Sequence, residues 1–236
     1  MLPFIPFPMF LLGRRLWKQI EKSAIELGFP LFINAFQFWP QADFVTSKIL
    51  FSGKMIENET VRLEPLSLIH AAPLSEWIED SDMWTWWLRE PPTTLEKLTK
   101  SIELALEHQT EGDREPFAVF SKSLQKFVGE TSLWSAGKNE IEIGSTWLCR
   151  TLRGTGFNKE VKKLLIGYAR QDRGVSRIIL QTDELNIQSQ RAIQAIGGIE
   201  YKRMKGDKIV WDGRIRTSIY YKIETWENQT VDDNSE

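Results

Sequence analysis

Cysteine and histidine are nearly missing from this chain. Cys149 is the only cysteine in 236 residues, so no internal disulfide can form, and a reducing, cytoplasmic compartment is the expectation. With only His70 and His108 beside it, no His/Cys cluster of the kind that builds a structural zinc site exists, and no metal is expected. An excess of one charge is also missing. Thirty basic residues face 32 acidic ones for a net charge of −2, so there is no polybasic footprint and no obligate nucleic-acid partner is expected. No run reaches about 18 uninterrupted apolar residues, the length a spanning helix needs. The apolar start over residues 1–12 is broken by Pro3, Pro6 and Pro8, and Arg14 and Arg15 follow it where a secretory leader carries its charges in front. The sequons at Asn58 and Asn228 matter only in a secreted chain, and neither is expected to be used.

What is present divides into three parts. Residues 1–54 form an extension with a short amphipathic stretch over 16–27 and an aromatic one over 32–39. It is either dispensable or a membrane-surface anchor, and Met55, standing before a clean domain start, favours the first. Residues 55–227 form one domain, and 228–236 a polar tail.

The domain is organised around residues 140–170. From Glu140 to Leu148 the chain alternates, with Ile141, Ile143, Ser145 and Trp147 on one side of a strand and Glu142, Gly144, Thr146 and Leu148 on the other. Further on, Val161, Leu164, Leu165 and Tyr168 recur at helical spacing, with Lys159, Lys162 and Lys163 assigned to the wet side. Between strand and helix lies Arg153-Gly154-Thr155-Gly156-Phe157-Asn158. Such a turn offers bare backbone N–H groups and a helix N-terminus to an anion, although a tight strand–helix connection needs no ligand. A Walker loop fails because Gly156 is followed by Phe157-Asn158, and a dinucleotide loop fails because Lys159 stands where a third glycine belongs.

Around this centre, the spacing predicts strands at 59–64, 116–121, 126–134, 177–182, 199–203 and 216–224. Helices are predicted over 66–78, with a kink or restart at Pro73, over 95–109 behind a threonine cap, and from Asn186 to a stop at Gly197-Gly198. Trp84, Trp86 and Trp87 are either core or the wall of a substrate pocket. Asp212-Gly213 marks a hairpin turn.

The segment from Arg153 to Asn158 resembles the acetyl-CoA pyrophosphate loop of the GNAT acetyltransferases, Gln/Arg-x-x-Gly-x-Gly/Ala. Arg153 fills the first place and Gly156 the glycine, while Asn158 departs from Gly/Ala. The strand EIGSTWL, the Asn186-x-x-Ser189 helix start, the Asp212-Gly213-Arg214-x-Arg216 segment and the opening Val61-Arg62-Leu63-Glu64-Pro65-Leu66 stand in the same order as in the branch resembling the ribosomal-protein N-terminal acetyltransferases RimJ and RimL. The resemblance implies an α/β (α+β) fold: a mixed sheet of about seven strands flanked by helices, its two central parallel strands splayed around the pantetheine arm. It implies acetyl-CoA as co-substrate, held by residues 153–158 (Arg153, Gly154, Thr155, Gly156, Phe157, Asn158), by the backbone near Trp147 and Leu148, and by Asn186 and Ser189.

Acetyl transfer to an amine needs a neutral amine, a polarised carbonyl and a protonated leaving thiolate. The resemblance gives the carbonyl to a backbone N–H near Trp147 or Leu148, and the sulfur to the Ser189 hydroxyl. Glu142 and Glu200 are the candidates for the base, though either also reads as a solvated or ion-paired strand residue. Without the family, Asn186 and Ser189 read as a helix cap and a first-turn residue. Cys149 is a nucleophile by residue type, but no histidine stands nearby in sequence to activate it and the family transfers directly, so a small apolar role is the expectation. The expected function is N-acetylation of a primary amine, such as a protein N-terminus. The alternatives are acetylation of a small amine (aminoglycoside or polyamine) and a non-catalytic CoA-binding module. The chain is expected as a monomer or homodimer, without a membrane partner.

Overall fold

The structure is a computed structural model and describes residues 53–224. Of the extension expected over 1–54 only Gly53 and Lys54 fall within it, and the tail over 228–236 lies outside. The strands are β1 (Ile56–Glu57), β2 (Val61–Pro65), β3 (Arg114–Ser121), β4 (Lys126–Gly137), β5 (Glu140–Leu148), β6 (Arg177–Asp183), β7 (Ile199–Ile209) and β8 (Ile215–Glu224). They form one sheet in the order β1-β2-β3-β4-β5-β6-β8-β7, in which only β5 and β6 are parallel. The mixed α/β class is as expected. The strand beyond the expected seven is β1, two residues paired to β2 at the sheet edge and too short to leave a periodic signal.

Among the described residues four helices accompany the sheet: α1 (Ala71–Ser75), α2 (Leu95–Glu111), α3 (Phe157–Arg173) and α4 (Ile187–Gln194). The helix expected over 66–78 is only a 3-10 turn, Leu68–His70, and the five residues of α1, because Pro73 supplies no N–H and cannot extend it. The capping threonine is Thr94, which accepts the Lys97 N–H at 3.2 Å. β7 runs six residues past its expected end, to Ile209. It lies at the sheet edge, mostly exposed, where charged residues such as Lys202 and Lys205 are compatible with pairing to β8.

Two apolar clusters cover the two faces of the sheet. On β3, Phe117 and Val119 belong to the cluster that contains Val161 and Leu165 of α3, whereas Ala118 between them belongs to the cluster that contains Leu98 and Ile102 of α2. Each fully buried side chain of this kind contributes roughly 1.5–3 kcal/mol. The α3 face differs from expectation at one position: Lys162, assigned to the wet side, is buried against the sheet.

β5 spans the expected residues but not with the expected alternation. Ile141 and Ile143 lie on the α3 face, whereas Trp147 lies on the α2 face against Trp84. The register explains this. Gly144 pairs with Ser132 and Trp147 with Glu130, so Ser145 and Thr146 together oppose Thr131. One extra residue makes a β-bulge and turns every later side chain to the other face. Ser145 occupies the left-handed region at φ 48° to accomplish it. Gly129 completes the fit, because a Cβ there would lie 2.0 Å from the Trp147 carbonyl oxygen.

Candidate active site

β5 and β6 pair only from Glu140 to Glu142 against Arg177 to Ile179. Beyond these residues they separate, so the bulged half of β5 faces an open gap. The direction of its backbone groups follows from one bond. Cys149 donates its N–H to Val128 of β4 at 2.8 Å, and successive residues alternate edges, so Leu148 turns its N–H into the gap. Trp147 turns its carbonyl to β4, as its closeness to Gly129 records.

At the wide end of the gap lies the glycine-rich turn. Gly154 and Gly156 have φ of 75° and 86°, and nothing lies within 4 Å of a Cβ built on either. L side chains with a Cβ rarely adopt such φ, and the absence of one leaves the turn open to close approach. Among the described residues no acceptor takes the N–H of Gly154, Thr155, Gly156 or Asn158. Thr155 is spent locally, its hydroxyl donating to Leu152 O at 2.8 Å and accepting from the Phe157 N–H at 3.3 Å. Phe157 is buried and anchors the first turn of α3, and the Asn158 side-chain oxygen Oδ1 is buried without a partner. Unpaired donors at the start of a 17-residue helix fit a pyrophosphate by hydrogen bonding and by the helix dipole. The Arg153 guanidinium, in contrast, turns away to Asp80 at 2.9 Å.

The sequence profile of the acetyltransferase (GNAT) domain matches residues 60–199, more than half of the chain. The chain belongs to the GNAT acetyltransferase family. It is therefore an N-acetyltransferase, of a family that uses acetyl-CoA as acetyl donor, and its other substrate bears an amine. A GCN5-related N-acetyltransferase from Brucella melitensis is 25% identical with a TM-score of 0.66, the match covering 73% of this chain and 79% of that one. RimJ of Mycobacterium smegmatis in complex with CoA-disulfide is 16% identical with a TM-score of 0.66, over 74% of this chain and 88% of that one. The ribosomal-protein-S5-alanine acetyltransferase from Vibrio fischeri is 15% identical with a TM-score of 0.62, over 74% and 100%. At their identities the last two share the fold. No curated protein matches the sequence.

Other residues of the acetyltransferase singled out in the sequence fall in separate places. Asn186 caps α4, its side-chain oxygen accepting the Ser189 N–H at 3.0 Å. The Ser189 hydroxyl has no hydrogen-bond partner among the described residues and is partly exposed near the end of β6. Glu142 ends the paired part of β5 on the α2 face, and its carboxylate accepts from Gln181 Nε2 at 2.6 Å. Glu200 is not brought to this group. It sits on edge strand β7, two strands from β6, and pairs with Arg203 at 3.0 Å. Cys149 is fully buried, its sulfur 3.2 Å from the Thr151 hydroxyl.

The α2 face beside the gap is walled by side chains that no short motif reveals. Gln181 Oε1 accepts from Lys208 Nζ and, at 3.4 Å, from Arg216. Burial lowers the pKa of both cations from their ordinary values, against the opposing charges of Glu142 near Lys208 and Asp183 near Arg216. Tyr220 donates to Asp207 at 3.1 Å, and burial together with that carboxylate pushes the phenol up to about 12. The tip between β7 and β8 folds over this floor. Trp211 Nε1 donates to Trp84 O at 2.9 Å, its backbone N–H to Trp87 O at 3.1 Å, and Arg214 lies over the Trp86 ring. Of the tryptophans, Trp84 is core, 1% exposed.

No described helix is long and apolar enough to cross a membrane. Away from the gap, His108, Glu111 and Asp113 bring ligand-type atoms within 4.8 Å of one another at the wet end of α2, an exposed acidic grouping of a common kind. A separate open concavity of about 490 Å³, lined by Met55, Ile56, Lys163, Gly167 and Asp172, lies off α3 and shares none of the groups around the gap.

Proposed function

We propose that this acetyltransferase, as a member of the RimJ/RimL-like branch, acetylates the α-amine of a protein N-terminus from acetyl-CoA within a ternary complex. The observation that carries the reading is the gap between β5 and β6, open at one end to the unpaired N–H groups of Gly154, Thr155, Gly156 and Asn158 and bounded at its narrow end by Glu142. Acetyl-CoA supplies the activated acetyl thioester. The backbone N–H groups of the turn bind its pyrophosphate, with Asn186 holding the pantetheine and a backbone N–H near Trp147 or Leu148 polarising the carbonyl. Here the alternation of β5 favours Leu148 as the donor.

Proton handling follows the same axis. An α-amine near pKa 8 loses its proton at pH 7 for about 1.4 kcal/mol, whereas a lysine amine costs about 4.6 kcal/mol. A weakly basic carboxylate working through a water suffices for the first, and Glu142 occupies that place. Ser189 carries a hydroxyl free to meet the departing sulfur. The folded-over tip with Trp211 narrows the acceptor side, which favours a chain terminus over a lysine on a folded surface. The same narrowing favours a small amine as the second reading.

Mass spectrometry of peptides incubated with the protein and acetyl-CoA tests this. The expected result is one acetyl group on the α-amine of peptides with free N-termini and none on internal lysines. Acetylation of polyamines or aminoglycosides with no peptide product transfers the assignment to the second reading. Binding of CoA without acetyl consumption across both panels overturns both.

A further inference from the structure

Lys162 is a lysine in the wrong place for its sequence. It sits in α3 among Val161 and Leu165, 8% exposed, with its amine inside the protein. Its Nζ donates to Thr146 Oγ1 at 2.6 Å. That hydroxyl also contacts Thr131 Oγ1 at 2.8 Å and the Gly144 carbonyl at 3.3 Å. No other acceptor and no carboxylate within ion-pair distance of Nζ occurs among the described residues. An ammonium carries three donors, so two are left over, in a setting where an unmatched polar group costs about 1–3 kcal/mol and a charge more.

The position of these spare donors is informative. Thr146 belongs to the bulge that carries β5 away from β6. Lys162 lies five residues into α3, about 7.5 Å along the axis from the cradle at Phe157. The carboxylate whose charge acts on it is Glu142, at the narrow end of the gap. A ligand whose pyrophosphate rests on the turn and whose chain runs down the gap brings its thioester end toward this amine.

We propose that Lys162 is a donor-site residue whose amine holds the sulfur end of acetyl-CoA through the hydrogen bonds that the protein itself leaves unmade. The inference rests on the donor-site reading above and adds a contact to it. Burial, opposed by Glu142, lowers the Lys162 pKa to about 7, so the group can be present in either form at neutral pH and offers N–H donors in both. A methionine here would fill about the same volume of a packed helix face without desolvating a charge.

The test compares CoA with desulfo-CoA, which lacks only the sulfur, by calorimetry on the wild type, Lys162→Met and Lys162→Gln, alongside thermal melts. The wild type is expected to bind CoA about tenfold more tightly than desulfo-CoA, as befits a hydrogen bond to a charged or polarised group. Lys162→Met is expected to bring the two affinities together, leave desulfo-CoA binding unchanged, and melt at the wild-type temperature or above. Equal affinities in the wild type overturn the inference without any variant. A Lys162→Met or Lys162→Gln protein that keeps the wild-type preference overturns it too, as does one that melts lower while losing both ligands equally, since that is the signature of a structural lysine. Failure of the wild type to bind either ligand overturns the donor-site reading itself and this inference with it.

Discussion

Glu130 gives the sharpest prediction about stability. It lies in β4 opposite Trp147 on the α2 face, 4% exposed, with Oε1 buried and unpartnered. Burial raises its carboxyl pKa from 4.5 to about 7, although Arg114 and the Trp147 indole pull the other way. A raised carboxyl works against the fold as pH rises. Below about 4.5 the proton is on in both states and there is no penalty. Between about 4.5 and 7 the unfolded chain releases it while the folded chain keeps it, so stability falls. Above 7 the full cost stands, two to three units at 1.36 kcal/mol each, or about 3 kcal/mol. Glu130→Gln keeps the shape and removes the titration. Urea unfolding of both proteins from pH 5.5 to 8 should show the variant's advantage growing by about 2 kcal/mol over that range. The comparison cancels other titrating groups, among them Lys162. A stability difference that stays flat with pH, within about 0.5 kcal/mol, refutes the reasoning and means that Glu130 is ionised or solvated in the fold.

Gly156→Val should weaken CoA binding in calorimetry, since a branched side chain at φ 86° is strained by about 1–2 kcal/mol and fills the open cradle; unchanged affinity in a folded variant removes the turn from the donor site. Ser189→Ala should lower kcat and kcat/KM together by about a hundredfold with CoA affinity intact, and steady-state rates corrected for the folded fraction decide this. Cys149→Ala should turn over near normally, because direct transfer asks nothing of a fully buried thiol; a folded but inactive protein requires a covalent route instead. A chain of residues 55–227 should fold and bind CoA as the full chain does, and loss of the cooperative melt places part of the core in the first 54 residues.

Much of the fold is legible because local rules act within a few residues. The strand β5, the glycine-rich turn and the start of α3 follow from alternation, from backbone freedom at Gly154 and Gly156, and from helical spacing, all carried by contiguous residues. The cap at Asn186 and the hairpin at Asp212-Gly213 are equally local. Edge strands are less visible. β1 is too short to show a period, and β7, mostly exposed at the sheet edge, carries charged residues in place of an apolar alternation.

What tertiary structure decided begins at the bulge. Alternation places Trp147 with Ile141, and only the register against β4, with Gly129 making room for the Trp147 carbonyl, turns it to the other face. The same irregularity separates β5 from β6 and lets the Leu148 N–H face a gap rather than a ladder. Lys162 looks like a solvated helix residue because helical spacing records which residues share a face, not what that face meets. Gln181, Lys208 and Arg216 are far apart in sequence and meet on the α2 face only because β8 inserts between β6 and β7. Glu200 and Glu142 are alike as sequence, each a glutamate on a strand, and the strand order alone puts one beside the gap and the other at the wet edge. The sequence thus determined the family and the glycine-rich turn, through contacts short along the chain. The polar cluster on the α2 face and the burial of a charge were decided by contacts between distant segments, for which a single sequence holds no local signal.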